Sequence, residues 1–395
     1  MNLTVPTNWQ KELITGLAKL NTNGQVKEIY GKLALDEVGG GRPPSALAYV
    51  SKKQAKAHIK KIKESGFEFN YLLNSLCFDN LEFTKKGQKM FRRLLDWISE
   101  NEVDRVTVAN PFLLMWIKEN YPQLKITVSA MANINTVKKA KQWETLGADK
   151  ITFPASAVNR NLKLIKLLRE SLSSKIQLIA NSGCLLNCPD LSNHALMNSH
   201  VSQKWHKCKG YILDYHILNC RYKRLAEPVN FIRSEWIRPE DIPFYKNLGV
   251  DTIKLIDRRL STEKILQITE AYLKQNYEGN LIDLLPIFQG RSFNIHKKRV
   301  RKIFFLGNIF SMNIFKILKY SKLFSKIDIK IDNKALNGFI EKIPERCSPD
   351  LCPTCKLCLQ TADRVVQIDP NYQEQLKTQY KEALDEILKK GLSFF

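Results

Sequence analysis

VDRVTVANPFLLMWIKENYPQLKITVSAMANINTVKKAKQWETLGADKITF, residues Val103 to Phe153, repeats one pattern three times. Short β-branched or apolar runs, Arg105 to Val108, Lys125 to Ser129 and Lys150 to Phe153, alternate with segments whose apolar residues recur at helical spacing, Leu113 to Asn120 and Asn135 to Leu146. Runs of the first kind read as strands and segments of the second as helices. The same unit continues on both sides. Further strands are expected at Val26 to Tyr30, Glu68 to Leu73, Ile176 to Ala180, Val229 to Arg233 and Thr252 to Ile256. Further helices are expected at Lys52 to Glu64, Lys86 to Asn101, Leu162 to Leu172, Pro239 to Leu248 and Thr262 to Gln275. Ser51 and Ser261 stand where N-caps belong, and Gly66, Gly147 and Gly249 where helices should stop. Eight such units within residues 1–275 predict a TIM-like (β/α)8 barrel, with an open doubly wound sheet as the alternative.

The chain has 395 residues, 44% of them hydrophobic, enough for a sizeable core. The opening MNLTVPTNWQ has neither a basic leader nor a signal-length apolar stretch, so a cytoplasmic location is expected. The nine cysteines then read as reduced thiols, better suited to metals than to disulfides. The apolar run Ile303 to Phe315 is too short and too interrupted to cross a bilayer, and no transmembrane segment is expected. A formal net charge of +23 points to a polyanionic partner such as RNA, or to an acidic membrane surface or protein.

After residue 275 the alternation stops. Residues 276–345 form a basic linker or small subdomain; positions 276–340 carry twelve Lys or Arg against four acidic residues. HKKRVRK (His296 to Lys302) and lysines at 316, 319, 322 and 326 lie within 291–330, the expected surface for RNA or an acidic protein. Residues 346–395 hold a four-cysteine segment and a closing amphipathic helix. There Cys347, Cys352, Cys355 and Cys358 are spaced C-x4-C-x2-C-x2-C. Thiolates this close on a turn-rich loop can converge on a [4Fe-4S] cluster or, alternatively, on zinc.

A second concentration lies in a loop inserted at 181–220, which holds Cys184, Cys188, Cys208 and Cys220 with His194, His200, His206 and His216. It follows an expected strand, where parallel α/β folds place their sites. A radical S-adenosylmethionine loop would need cysteine where Leu191 stands. Spacing leaves iron–sulfur and zinc equally open. Cys77, with no neighbouring cysteine, reads as a buried thiol, and the individual histidines as hydrogen-bonding or RNA-facing residues.

IANSGCLLNCPDLSNHALMNSH, together with FIRSEWIRPEDIPFYKNLGVDTIKLIDR at Phe231 to Arg258, resembles peptidase family U32, the collagenase-like group, over roughly residues 25 to 275. The resemblance implies a TIM-like barrel and, on Cys184, Cys188, Cys208 and Cys220, a [4Fe-4S] cluster. It implies oxygen-independent hydroxylation of RNA or of a small aromatic or isoprenoid substrate, while older assignments call members peptidases. One or two clusters, and a redox partner to serve them, are then expected.

Polar residues at strand ends should line the barrel mouth. They are Asn74, Asn110, Ser129, Asn133, Asn181, Arg233, Glu235, Lys254, Asp257 and Arg258, with Asn74, Asn110, Ser129, Arg233, Glu235 and Lys254 as catalytic candidates. Arg233 with Glu235 reads either as a structural ion pair or as an acid–base couple. The loop Gly39–Arg42 permits close backbone approach, and Arg42 can clamp a carboxylate or phosphate. A peptidase is the second reading, although neither HExxH nor GxSxG occurs. A binding or accessory iron–sulfur protein is the third.

Overall fold

The computed structural model describes residues 1–210, 214–290, 319–320, 322–345 and 347–389. Eight parallel strands close a barrel: β1 Asn2–Pro6, β2 Val26–Gly31, β3 Glu68–Leu73, β4 Arg105–Val108, β5 Lys125–Val128, β6 Lys150–Thr152, β7 Lys175–Ile179 and β8 Thr252–Lys254. The TIM-like expectation is met with two corrections that cancel in the count. β1 lies in the amino-terminal segment, where no strand was expected; Leu3 pairs with Val26 on one side and Ile253 on the other, closing the ring. Val229–Arg233, read as a strand, is a helix. Its buried Phe231 and Ile232 face the carboxyl-terminal helix Leu357–Val365. A short apolar run bounded by proline does not distinguish a buried strand from a buried helix turn.

The helix starts follow their caps. Ser51 Oγ accepts from Gln54 N at 3.2 Å while Gln54 Oε1 accepts from Ser51 N at 2.9 Å, a reciprocal pair that satisfies two otherwise orphaned donors of helix Lys52–Glu64. Ser261 Oγ accepts from Lys264 N at 3.2 Å and starts helix Thr262–Lys274. Gly249 has φ +86°, and a Cβ there would lie 2.5 Å from Arg169 Cγ, so the stop before β8 calls for glycine.

The barrel interior is polar. Glu28 on β2 accepts from Lys150 Nζ on β6 at 2.7 Å and from Asn70 on β3 at 3.0 Å, with Arg105 on β4 at 3.2 Å; Thr107 donates to Asn70 at 2.8 Å. On the other side Thr152 donates to Gln177, which donates to Thr4, at 2.8 and 2.9 Å. Burial alone would raise the Glu28 carboxyl, but Lys150 and Arg105 hold it below its usual range. The inward positions therefore form cross-strand links instead of the branched aliphatic layers common in such barrels.

The tail packs on the barrel and its insertion. Helix Pro370–Lys389 lies against helix Tyr215–Ala226. Between them, buried Arg221 donates to Leu323 O at 2.8 Å, Ser325 O at 2.7 Å and Tyr380 Oη at 3.1 Å. Of the basic surface expected over 291–330, residues 291–318 lie outside the described residues, including the run at 296–302. Lys319 pairs with Glu386 at 3.2 Å and Lys326 with Asp283 at 3.4 Å. No helix among the described residues is long and apolar enough to cross a membrane.

Candidate functional site

A cavity of about 240 Å³ opens at the carboxyl ends of the strands, lined by Asn74, Ser129, Asn133, Asn181, Lys254, Asp257 and Arg258, with Arg42 and Arg259 at Asp257 and Cys184 in the wall. Most of the expected mouth residues are therefore brought together. Asn181 serves structure: its Oδ1 accepts from Ile256 N at 2.7 Å and its Nδ2 donates to Leu284 O at 3.2 Å, fastening the end of β7 to that of β8. Three expectations fail. Asn110 caps helix Pro111–Asn120, accepting from Leu113 N at 3.1 Å, and is not in the lining. Because Val229–Arg233 is a helix, Arg233 faces the tail cysteines. Glu235 is buried with Oε2 unpartnered, and no ion pair joins it to Arg233 among the described residues. Burial raises Glu235 to about 7, against the pull of Arg160.

The mouth carries more positive than negative charge. Asp257 accepts from Arg42 Nε and Arg259 Nε, each at 2.9 Å. Burial would raise the Asp257 carboxyl, but Arg259, Arg42 and Arg258 bring it well below its usual range. Arg258 is buried with Nη1 lacking a hydrogen-bond partner. Lys254 places Nζ 4.2 Å from the Tyr30 ring centroid and makes no ion pair among the described residues. Burial lowers it to about 7, with Glu28 opposing. Asn74 Nδ2 is 3.3 Å from Ser129 Oγ, while its Oδ1 is buried and unpartnered; a Cβ on Gly40 would come within 2.7 Å of that oxygen. An unpaired donor and an unpaired acceptor thus flank one space, the usual condition of a site awaiting a polar ligand. The glycine loop is pinned, with Asp36 Oδ1 accepting from Gly39 N at 2.6 Å and Ser202 Oγ from Gly40 N at 2.7 Å.

The two cysteine groups differ in closure. Burial raises the Cys188 thiol, with Asp190, Cys184 and Cys220 adding to the effect, so these three cysteines share one neighbourhood. Arg224 donates to Cys220 Sγ at 3.0 Å, the kind of hydrogen bond that supports a cluster thiolate. Cys208 is exposed, its N–H on His206 Nδ1 at 3.1 Å. In the tail, Cys347, Cys352, Cys355 and Cys358 all line one pocket of about 20 Å³ with Arg160 and Arg233. Burial pushes Cys347 up to about 12, with Glu235 adding and Arg160 opposing. Arg160 gave no signal in the sequence, sitting in a loop after β6. Its cation lies 4.6 Å from the Trp236 ring centroid, and it donates to Ser234 O at 3.2 Å.

In neither group do three sulfurs lie within 4.8 Å of one another. A zinc tetrahedron with bonds of about 2.3 Å needs sulfurs about 3.8 Å apart. Neither group is therefore drawn together as a zinc tetrahedron, and the tail pocket's volume is nearer that of a single water or ion.

The model for Peptidase family U32 matches residues 46–278. An uncharacterised protease of Methanocaldococcus jannaschii is 26% identical over 331 residues, 84% of this chain and 86% of that one. Among solved structures, a U32 peptidase is 21% identical, covering 65% of this chain and 93% of its own, with a TM-score of 0.47. Matched over more than half its length by the family model, the chain belongs to peptidase family U32.

Proposed function

We propose that this chain is an iron–sulfur enzyme, or the catalytic component of one, carrying out an oxygen-independent, hydroxylation-type modification of a substrate that brings an anionic group and a ring into the barrel mouth. The observation that carries the reading is Cys184 in the wall of a cavity that also holds Lys254, which makes no ion pair among the described residues, and Arg258, whose Nη1 has no hydrogen-bond partner. Arg258 and Lys254 would hold a carboxylate or phosphate, and Asn74 and Ser129 would orient the reacting group by hydrogen bonds. The size, about 240 Å³, suits one aromatic ring or one unstacked base of an RNA. Cys184, Cys188 and Cys220 would hold three corners of a cluster and Cys208 the fourth. When bound, that cluster supplies one-electron transfer at the cavity wall. The tail quartet would hold a second cluster or, as its small volume favours, zinc. RNA or an acidic protein remains the proposed partner of the basic segment.

A peptidase is the alternative, favoured by the name of the archaeal relative. Among the described residues no hydrogen bond joins a cavity serine or Cys184 to a histidine, the pairing used by Ser–His and Cys–His peptidases. RNA hydrolysates and quinone extracts from anaerobically grown cells, compared by mass spectrometry, test the proposal. Cells carrying Cys184→Ala should lack one product that is heavier by one oxygen in the wild type. Identical RNA and quinone profiles, with altered peptide profiles instead, would favour the peptidase.

A further inference from the structure

Behind the cavity wall lies a group of metal-binding atoms that the mouth and tail sites do not use. Cys77 Sγ, an Asp79 carboxylate oxygen and a His200 ring nitrogen all lie within 4.8 Å of one another. Cys77 and Asp79 sit on the loop between β3 and helix Lys85–Glu100; His200 is in the last turn of helix Leu191–Val201. Cys77 Sγ and His200 Nε2 each lie 3.8 Å from Asp79 Oδ1. His200 Nε2 is shielded from solvent and has no hydrogen-bond partner.

We infer that Cys77, Asp79 and His200 form a divalent metal site of the zinc class that clasps the cysteine- and histidine-rich insertion to the β3 loop. A thiolate, a carboxylate and an imidazole suit a borderline-soft ion and poorly suit calcium or magnesium, which take oxygen. Asp79 Oδ1 is the ligand oxygen, because it faces both Cys77 and His200. Its other oxygen lies 3.4 Å from His206 Nε2. His206 Nδ1 accepts the Cys208 N–H at 3.1 Å, so the proton of the neutral ring is on Nε2 and points at Asp79. His206 is thus a positioning residue: it stacks on His200 at 4.3 Å and 10° and orients the carboxylate. A water completes four-coordination.

The surrounding bonds hold both halves in register without the ion. Ser199 Oγ accepts from Leu76 N at 3.1 Å, and Gln203 Nε2 donates to Cys77 O at 2.7 Å. Asn74 on the loop side and Asn198 on the helix side line the cavity, so the clasp fixes two of its walls from behind.

The test is cadmium-113 NMR and zinc titration against a chelator on the full anaerobic chain. The wild type should give one mixed sulfur–nitrogen–oxygen resonance, distinct from all-thiolate sites. It should vanish in Cys77→Ser and in His200→Gln with circular dichroism unchanged, and survive in Cys184→Ala. Asp79→Asn should weaken zinc at least tenfold, and His206→Gln about tenfold, as for a residue that orients a ligand. Persistence of the mixed resonance in Cys77→Ser, or its absence from the wild type, would overturn the site.

Discussion

The mouth and the tail are built from the same chemistry, cysteines beside arginines, and put it to opposite ends. In the tail every cysteine faces one small space, and Arg160 is committed to backbone carbonyl and to the Trp236 ring. At the mouth only Cys184 of its quartet reaches a cavity some twelve times larger, on the ratio of about 240 to 20 Å³, where Arg258 Nη1 has no hydrogen-bond partner and Lys254 makes no ion pair among the described residues. Spent cations hold structure together, whereas unspent ones wait for charge from outside. The comparison supports the proposal that substrate enters at the mouth while the tail serves a structural or relay role.

The largest effect tests the frame that carries the mouth. Glu28→Gln leaves Lys150 and Arg105 buried around a neutral amide and should cost about 3–5 kcal/mol in denaturant unfolding. The pH dependence has a definite sign. The Glu28 carboxyl is held below its unfolded value near 4.3, so its stabilisation is present above that value and is lost as pH falls through the lower folded one.

Exchanging one arginine at each site separates the two roles. Arg160→Met removes the side-chain donor from the Ile232 carbonyl and one of two donors from the Ser234 carbonyl, which keeps Trp236 N at 2.7 Å, and should cost about 1–3 kcal/mol of stability, with sulfate binding at the mouth unchanged by calorimetry. Arg258→Met should do the reverse, weakening sulfate tenfold or more with stability kept or raised. Equal stability losses in both variants would erase the distinction.

A smaller effect sharpens the mouth alone. Burial first, then the charges of Lys150, Arg258 and Arg42, bring Lys254 down to about 7 in the folded chain, with Glu28 opposing, against about 10.4 unfolded. Between those values the unfolded chain binds more protons, so this group's contribution to stability rises with pH across that window and falls as pH returns toward 7. A bound anion prefers the charged amine. Sulfate affinity should therefore drop as pH rises through about 7 and become flat in Lys254→Met.

The barrel was legible because seven of its strands recur as β-branched runs before amphipathic helices. β1 was not, since Leu3 to Val5 gives three apolar-tolerant residues and no preceding helix to frame them. The VNFIR run was misread for the complementary reason: Phe231 and Ile232 are buried, as in a strand, but under the tail helix. Arg233 and Glu235 went to the wrong site with it. Lys254, Asp257 and Arg258 were legible as the end of a strand; Arg160 was not, because Ile232, Ser234 and Trp236 are remote from it in the chain. Cys77 read as a buried thiol because His200 meets it only through the fold, although Asp79 stands two residues on.

Iron and acid-labile sulfide counted on anaerobically purified chain test the central claim, that two separate cysteine centres serve one barrel. About eight irons are expected if both hold four-iron clusters, falling to about four in Cys184→Ala/Cys188→Ala and separately in Cys352→Ala/Cys355→Ala. About four irons plus one zinc would place zinc in the tail and keep the mouth cluster. Fewer than three irons, or a mouth variant that loses no iron, would contradict the account.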